Sequence, residues 1–158
     1  MLLFPCSGQA QLLKMLKIGI AEYEALRRHG EDTYPRECCG ILIGIISRDV
    51  RAVISIVPCA NAATELATSR YSIDPREVIR AQREARDHSL EIVGFYHSHP
   101  DHPPQWSSTD FEEAHWIGCS YVITSVDQGV AAKTKSFVLA GTLEEDKFFV
   151  EEEMNVSS

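Results

Sequence analysis

The chain has 158 residues, 44% of them apolar, and sets 15 Lys plus Arg against 23 Asp plus Glu for a net charge of −8. That length buries one sizeable core and excludes a two-domain reading. The acidic balance also argues against a nucleic-acid binder, because neutralising phosphates needs a basic face and no Lys/Arg-rich run is present.

Much of the acidic excess lies in Glu144-Glu145-Asp146 and Glu151-Glu152-Glu153, where it serves solubility before any ligand. No apolar stretch approaches the ~18 residues of a membrane span. Met1 to Cys6 has neither the positive start nor the long apolar run of a signal peptide. A cytoplasmic protein acting away from membranes is expected. The cysteines, Cys6, Cys38, Cys39, Cys59 and Cys119, are odd in number and contain no C-x-x-C pair. They read as reduced thiols and not as a disulfide framework or a zinc ribbon.

Residues 1–14 carry no clear period and read as a lead-in, with the domain over 15–152 and a C-terminal tail over 153–158. Ile20, Tyr23 and Leu26 recur at helical spacing up to about His29, with Gly30 placed where a helix would end. Cys38 to Ile46 is an apolar run with β-branched residues and no polar alternation, the pattern of a strand buried on both faces. Ser47-Arg48-Asp49 turns the chain, and Val50 to Val57 returns as the second strand of a hairpin. Pro58 to Ser69 is a loop. Asp74-Pro75-Arg76-Glu77 combines an Asp N-cap, Pro at the first helical position and a capping-box Glu, and starts a helix to about His88. Glu91 to Tyr96 is a strand leading into His97-Ser98-His99-Pro100. A Pro-rich loop follows, then a helix from about Thr109 to Ile117, and strands at Tyr121–Thr124, Phe137–Leu139 and Phe148–Val150. Helices interleaved with hairpins indicate an α/β domain with a mixed sheet flanked by helices.

The chemistry concentrates in His97-Ser98-His99, followed at eleven residues by Asp110. Side chains two apart on a strand share a face, so both imidazoles can aim at one point. Two imidazoles and a carboxylate leave a fourth position open, the arrangement of a catalytic zinc site and not of a structural one. Ser107-x-x-Asp110 is equally a capping-box pattern, which needs no chemistry. Hydrolysis at such a site calls for a carboxylate that is near the metal without ligating it. Glu37, immediately ahead of the first apolar strand, is the candidate. His29, His88, His102 and His115 read as helix-end or surface residues, and Trp106 and Trp116 as packing anchors.

Taken together, Glu37 before the strand Cys39–Ile46, then Gly94-Phe95-Tyr96-His97-Ser98-His99-Pro100 and Ser107-Ser108-Thr109-Asp110, resemble the JAMM (MPN-plus) metalloprotease family. The resemblance covers about Lys17 to Val150, with every position of the compound motif filled. It implies a cytidine-deaminase-like three-layer arrangement, one zinc per chain on His97, His99 and Asp110, Glu37 as general base and Ser107 as donor to the oxyanion. The chain is most similar to the short stand-alone prokaryotic members. For those, the resemblance implies hydrolysis of an amide at the C-terminal Gly-Gly of a ubiquitin-like or sulfur-carrier protein, the expected partner. Either about 127–135 or the stretch around Asn61 to Tyr71 would line the groove for that tail. A homodimer is compatible with the fold and rests on no stretch of sequence. The alternatives are a catalytically silent MPN-type scaffold and a peptidoglycan-type JAMM endopeptidase. Zinc deaminases require a P-C-x-x-C element that is absent.

Overall fold

The computed structural model describes residues 14–158, so the expected lead-in lies, apart from Lys14, outside the described residues. The elements run β1 (Met15–Gly19), α1 (Ile20–Thr33), β2 (Cys39–Ser47), β3 (Val50–Cys59), α2 (Pro75–Asp87), β4 (Glu91–Pro100), α3 (Ser108–Glu113), β5 (Ser120–Asp127), β6 (Val130–Ala140) and β7 (Phe148–Ser157). The sheet is mixed, as the hairpins require. β1 runs parallel to β3 and β7, and β4 parallel to β5, while the other neighbours are antiparallel. It also closes on itself in the order β1-β3-β2-β4-β5-β6-β7. The expected α/β architecture with flanking helices therefore holds, with a curvature the sequence did not reveal.

Closure depends on β1, which the sequence hid, and on β7, which extends the strand expected at Phe148–Val150 as far as Ser157. β1 follows the lead-in without a break in pattern, yet it pairs with β3 over Met15–Lys17 and with β7 over Met15–Gly19. The expected tail over 153–158 is corrected: Glu153–Ser157 is strand, paired with β1. Its acidic residues mask the alternation because Glu152 points inward, where Arg51 Nη2 meets its Oε2 at 2.9 Å. Ser120 and Ser136 hydroxyls donate to Glu152 Oε1 at 2.5 and 2.7 Å. This buried cluster ties β3, β5, β6 and β7 together.

Two apolar cores lie on opposite faces of the sheet. One joins Leu16, Ile18, Leu42, Val93, Tyr96 and Val122 to Leu26 of α1. The other joins Ile41, Ile43, Phe95, Tyr121 and Leu139 to Ala81 and Ala85 of α2. β2 and β4 contribute to both, which is why the run Cys39–Ile43 shows no polar alternation. Gly40 is required by contact: a Cβ there would lie 2.2 Å from the Tyr96 ring. The ring crosses at that point, and its hydroxyl reaches His29 Nδ1 at 2.8 Å.

Two helix ends and one helix cap differ from expectation. α1 continues past Gly30 to Thr33, and Gly30 is buried against Val126 and Ser98. α2 begins as expected at Asp74, but the cap carboxylate accepts from Arg76 N–H at 2.9 Å, not from Glu77. α3 stops at Glu113 and not at Ile117, and Trp116 packs edge-to-face on Phe95 at 5.5 Å. No helix of the described residues is long and apolar enough to cross a membrane.

Candidate metal centre

β4 runs through His97-Ser98-His99 to Pro100, so the motif sits on a paired central strand, as the alternation argument requires, and the strand extends past Tyr96. Cys39 of β2 pairs with His97 on one side. On the other side, Ile123 and Ser125 of β5 stand opposite His97 and His99. Alternation puts Phe95, His97 and His99 on one face, and both imidazoles are buried. Beyond Pro100 the chain is pinned at Asp101, whose carboxylate accepts from Tyr34 Oη at 2.6 Å and from Gln128 N–H at 2.8 Å.

Asp110 is delivered by α3. Ser107 Oγ accepts from Asp110 N–H at 3.1 Å, and Asp110 Oδ2 accepts from Ser107 N–H at 2.9 Å, a reciprocal capping box. The local capping role and the position beside the histidines thus coexist in one residue. α3 is held down by Trp106, Phe111 and Phe149, whose ring centroids lie 5.4 to 5.8 Å apart. Lys147 Nζ donates to Ala114 O at 2.8 Å at the far end of that helix.

The donor atoms converge. His97 Nε2 and His99 Nε2 lie 3.1 Å apart, and Asp110 oxygens lie 3.3 Å from the first and 3.1 Å from the second. Glu37, His97 and His99 also offer ligand atoms within 4.8 Å of one another. Glu37 is nonetheless the more distant carboxylate, at 3.9 Å from His99 Nε2. His99 Nδ1 lies 2.9 Å from Pro103 O and donates to it, so Nε2 is the ring nitrogen turned toward the other two groups. Two imidazole nitrogens and a carboxylate at this separation match tetrahedral zinc, whose ~2.0–2.1 Å bonds put neighbouring ligands about 3.3 Å apart. The donor set fits that ion. Tyr71 stacks on the His97 ring, centroids 4.4 Å apart.

Electrostatics divide the cluster. Burial pushes the Glu37 carboxyl up to about 8, with His99 opposing and Asp110 and Glu113 adding to the rise. Asp110 is also buried, yet hydrogen bonds from His97 and His99 hold it far below the usual carboxylate range. Burial lowers His97. For His99 the same burial is outweighed by hydrogen bonds to Asp110 and Pro103, and the net shift is upward. Among the described residues, three buried side-chain atoms have no hydrogen-bond partner: Glu37 Oε2 and His97 Nδ1 in this cluster, and Arg51 Nε beside Glu152. Unsatisfied polar atoms of this kind are costly in a finished core, and a catalytic role or an ion site is one account of them. The neighbouring thiols differ: burial raises Cys38 and Cys39 to about 12, Cys59 to about 11 and Cys119 to about 12, so all four described cysteines stay protonated and free.

A cavity of about 370 Å³ opens beside these groups, lined by Glu37, His99 and Ser107 together with Thr68, Ser69 and Trp106. Of the two stretches expected to line a groove, it is the one around Asn61 to Tyr71 that borders this cavity. The 127–135 segment instead holds Asp101 and α1, through Gln128 and Ala131. Five sequence-derived residues, Glu37, His97, His99, Ser107 and Asp110, are thus brought to one place. Tyr71 and the Pro103 carbonyl were not anticipated; a Tyr in a loop and a backbone oxygen carry no spacing signal.

Residues 21–139 match the family of prokaryotic homologues of the JAB domain. The desampylase of Haloferax volcanii is 39% identical over 98 residues, which are 62% of this chain and 68% of that protein. The probable TtuB-protein conjugate cleaving protease of Thermus thermophilus is 32% identical over 109 residues, covering 69% of this chain and 68% of that protein. A solution structure of a protein from Desulfitobacterium hafniense superposes with a TM-score of 0.77 at 28% identity, covering 91% of this chain and 94% of that one.

Proposed function

Because the chain belongs to the family of prokaryotic JAB-domain homologues, we propose that it is a zinc metallopeptidase of the JAMM type, cleaving amide bonds at the C-terminal Gly-Gly of a ubiquitin-like or sulfur-carrier protein. The substrate class is supported by the relatives named for desampylation and for cleaving TtuB-protein conjugates. The observation that carries the chemistry is the convergence of His97 Nε2, His99 Nε2 and Asp110 within 3.3 Å of one another, with the free, buried Glu37 oxygen alongside.

His97, His99 and Asp110 would hold one zinc. When bound, zinc supplies Lewis acidity, lowering the pKa of water and polarising a carbonyl. Glu37 then accepts the proton of the attacking water. Its raised pKa suits a group that must take up a proton and surrender it again, here to the leaving amine, and a neighbouring cation favours its charged form beforehand. Ser107 accepts the N–H of Asp110 with an Oγ lone pair, which leaves its O–H free to donate to the developing oxyanion. Asp110, held in place by the Ser107 N–H, orients both imidazoles. Gly-Gly suits the cavity because only glycine lets a backbone approach so closely.

The test uses a ubiquitin-like protein joined through Gly-Gly to a lysine side chain. The zinc-loaded chain is expected to release the two parts, and Glu37→Gln to retain zinc while losing on the order of 10²–10⁴ in turnover. An active Glu37→Gln protein would place the base elsewhere, and a wild-type chain that leaves such conjugates intact would refute the assignment.

A further inference from the structure

Glu37 stands just outside β2, and both of its backbone groups are claimed by the segment between β3 and α2. Its N–H donates to Ala67 O at 2.6 Å, and its carbonyl accepts from Asn61 Nδ2 at 3.1 Å. The Asn61 amide is fully committed. Nδ2 also donates to Arg70 O at 3.0 Å, while Oδ1 accepts from Ala63 N–H at 2.9 Å and Ser72 N–H at 3.1 Å. Two donors and two acceptances account for what a primary amide can offer. The turn at Ala63, the return of the loop at Arg70–Ser72 and the backbone of Glu37 therefore meet on one side chain.

That loop is also the one facing the site. It presents Thr68 and Ser69 to the cavity beside Glu37, His99 and Ser107, and Tyr71 to the ring of His97. The bonds made by Oδ1, together with the Ala62 N–H to Ser72 O pair at 2.8 Å, already close the loop on itself. The Nδ2 bond to the Glu37 carbonyl adds something else, a link between the loop and the base.

Resting on the reading of Glu37 as base, we infer that Asn61 is a positioning residue: by locking the Glu37 backbone to the loop that borders the cavity, it holds the carboxylate in register with the metal centre without touching substrate. Asn61→Asp tests the donor side of the amide: an aspartate keeps both acceptances from Ala63 and Ser72, removes the donors to Glu37 and Arg70, and sets a charged oxygen against those two carbonyls.

The experiment measures zinc content, steady-state cleavage and backbone amide exchange for Asn61→Asp, alone and combined with Glu37→Asp. A misplacement on the order of 1 Å costs up to about 10²-fold in rate. Asn61→Asp is accordingly expected to keep its zinc, to lower kcat roughly 10- to 100-fold, and to leave KM within about threefold. On a Glu37→Asp background, where the carboxylate is already displaced, the same change should cost less than about threefold, because residues acting as a unit are not additive. In the metal-free chain, exchange of the Glu37 amide should quicken at least about tenfold as its anchor loosens. A kcat within twofold of wild type, a loss carried by KM, an equal factor on both backgrounds, or unchanged exchange would each overturn the inference. A wild-type chain that cleaves nothing refutes the peptidase reading instead, and amide exchange alone then decides whether Asn61 anchors Glu37.

Discussion

Two buried polar clusters sit in this fold, and they are finished differently. Around Glu152, both carboxylate oxygens are taken, one by Arg51 and the other by the hydroxyls of Ser120 and Ser136. Around Glu37, one oxygen has no partner, and two imidazole nitrogens face each other at 3.1 Å beside a carboxylate. Burial is similar, with Glu152 at 7% and Glu37 at 3% of their full exposure. What separates the two carboxylates is satisfaction: both oxygens of Glu152 are paired, and the open atom of that cluster is a donor, Arg51 Nε. The first cluster closes the sheet using its own partners, whereas the second leaves its lone pairs aimed at a common point, which is what a cation requires.

The contrast can be broken most forcefully by pH. Burial holds the Glu37 proton up to about 8 in the fold, against 4.5 for an ordinary glutamate. The stabilisation from that proton is complete below about 4.5 and lost as pH rises through about 8. Metal-free protein should therefore weaken across that window, by at most about 5 kcal/mol on the usual 1.36 kcal/mol per pKa unit. Glu37→Gln should flatten the slope in denaturant titrations, and an unchanged slope would mean that the carboxyl is not buried as described. Next, Glu152→Ala should cost about 3–5 kcal/mol of stability by stranding Arg51. Zinc content should be unchanged; metal loss at retained stability would erase the division between the clusters.

Ser107→Ala should lose on the order of 10²–10³ in kcat, the usual worth of an oxyanion donor. Its loss as an N-cap should cost only ~1 kcal/mol of stability. Equal kcat in the variant would leave Ser107 with its capping role alone. The smallest effect is expected at Cys39, a protonated, buried thiol with no place in the chemistry. Cys39→Ala should change stability on the order of 1 kcal/mol, the typical cost of a point substitution, and leave turnover within about twofold. A selective catalytic loss would mean a thiol takes part.

The site was more legible in the sequence than the fold that carries it. His97, His99 and Asp110 declare themselves because strand alternation and a capped helix start translate spacing directly into direction. Glu37 was visible as a carboxylate set against an apolar run. The closure of the sheet was not, since β1 is only five residues long and β7 buries Glu152 where an apolar residue would have signalled a strand. Asn61 was hidden for a related reason: its partners are backbone atoms of Glu37, Ala63, Arg70 and Ser72, and backbone atoms leave no mark in a sequence.

The most direct measurement is zinc per chain by elemental mass spectrometry, on the wild-type protein and on Asp110→Asn at matched zinc supply. A value near one for wild type, as a single tetrahedral site requires, and a clear deficit for Asp110→Asn are expected. A wild-type value near zero after zinc is supplied, or undiminished zinc in Asp110→Asn, would contradict the assignment of the open cluster as a metal centre.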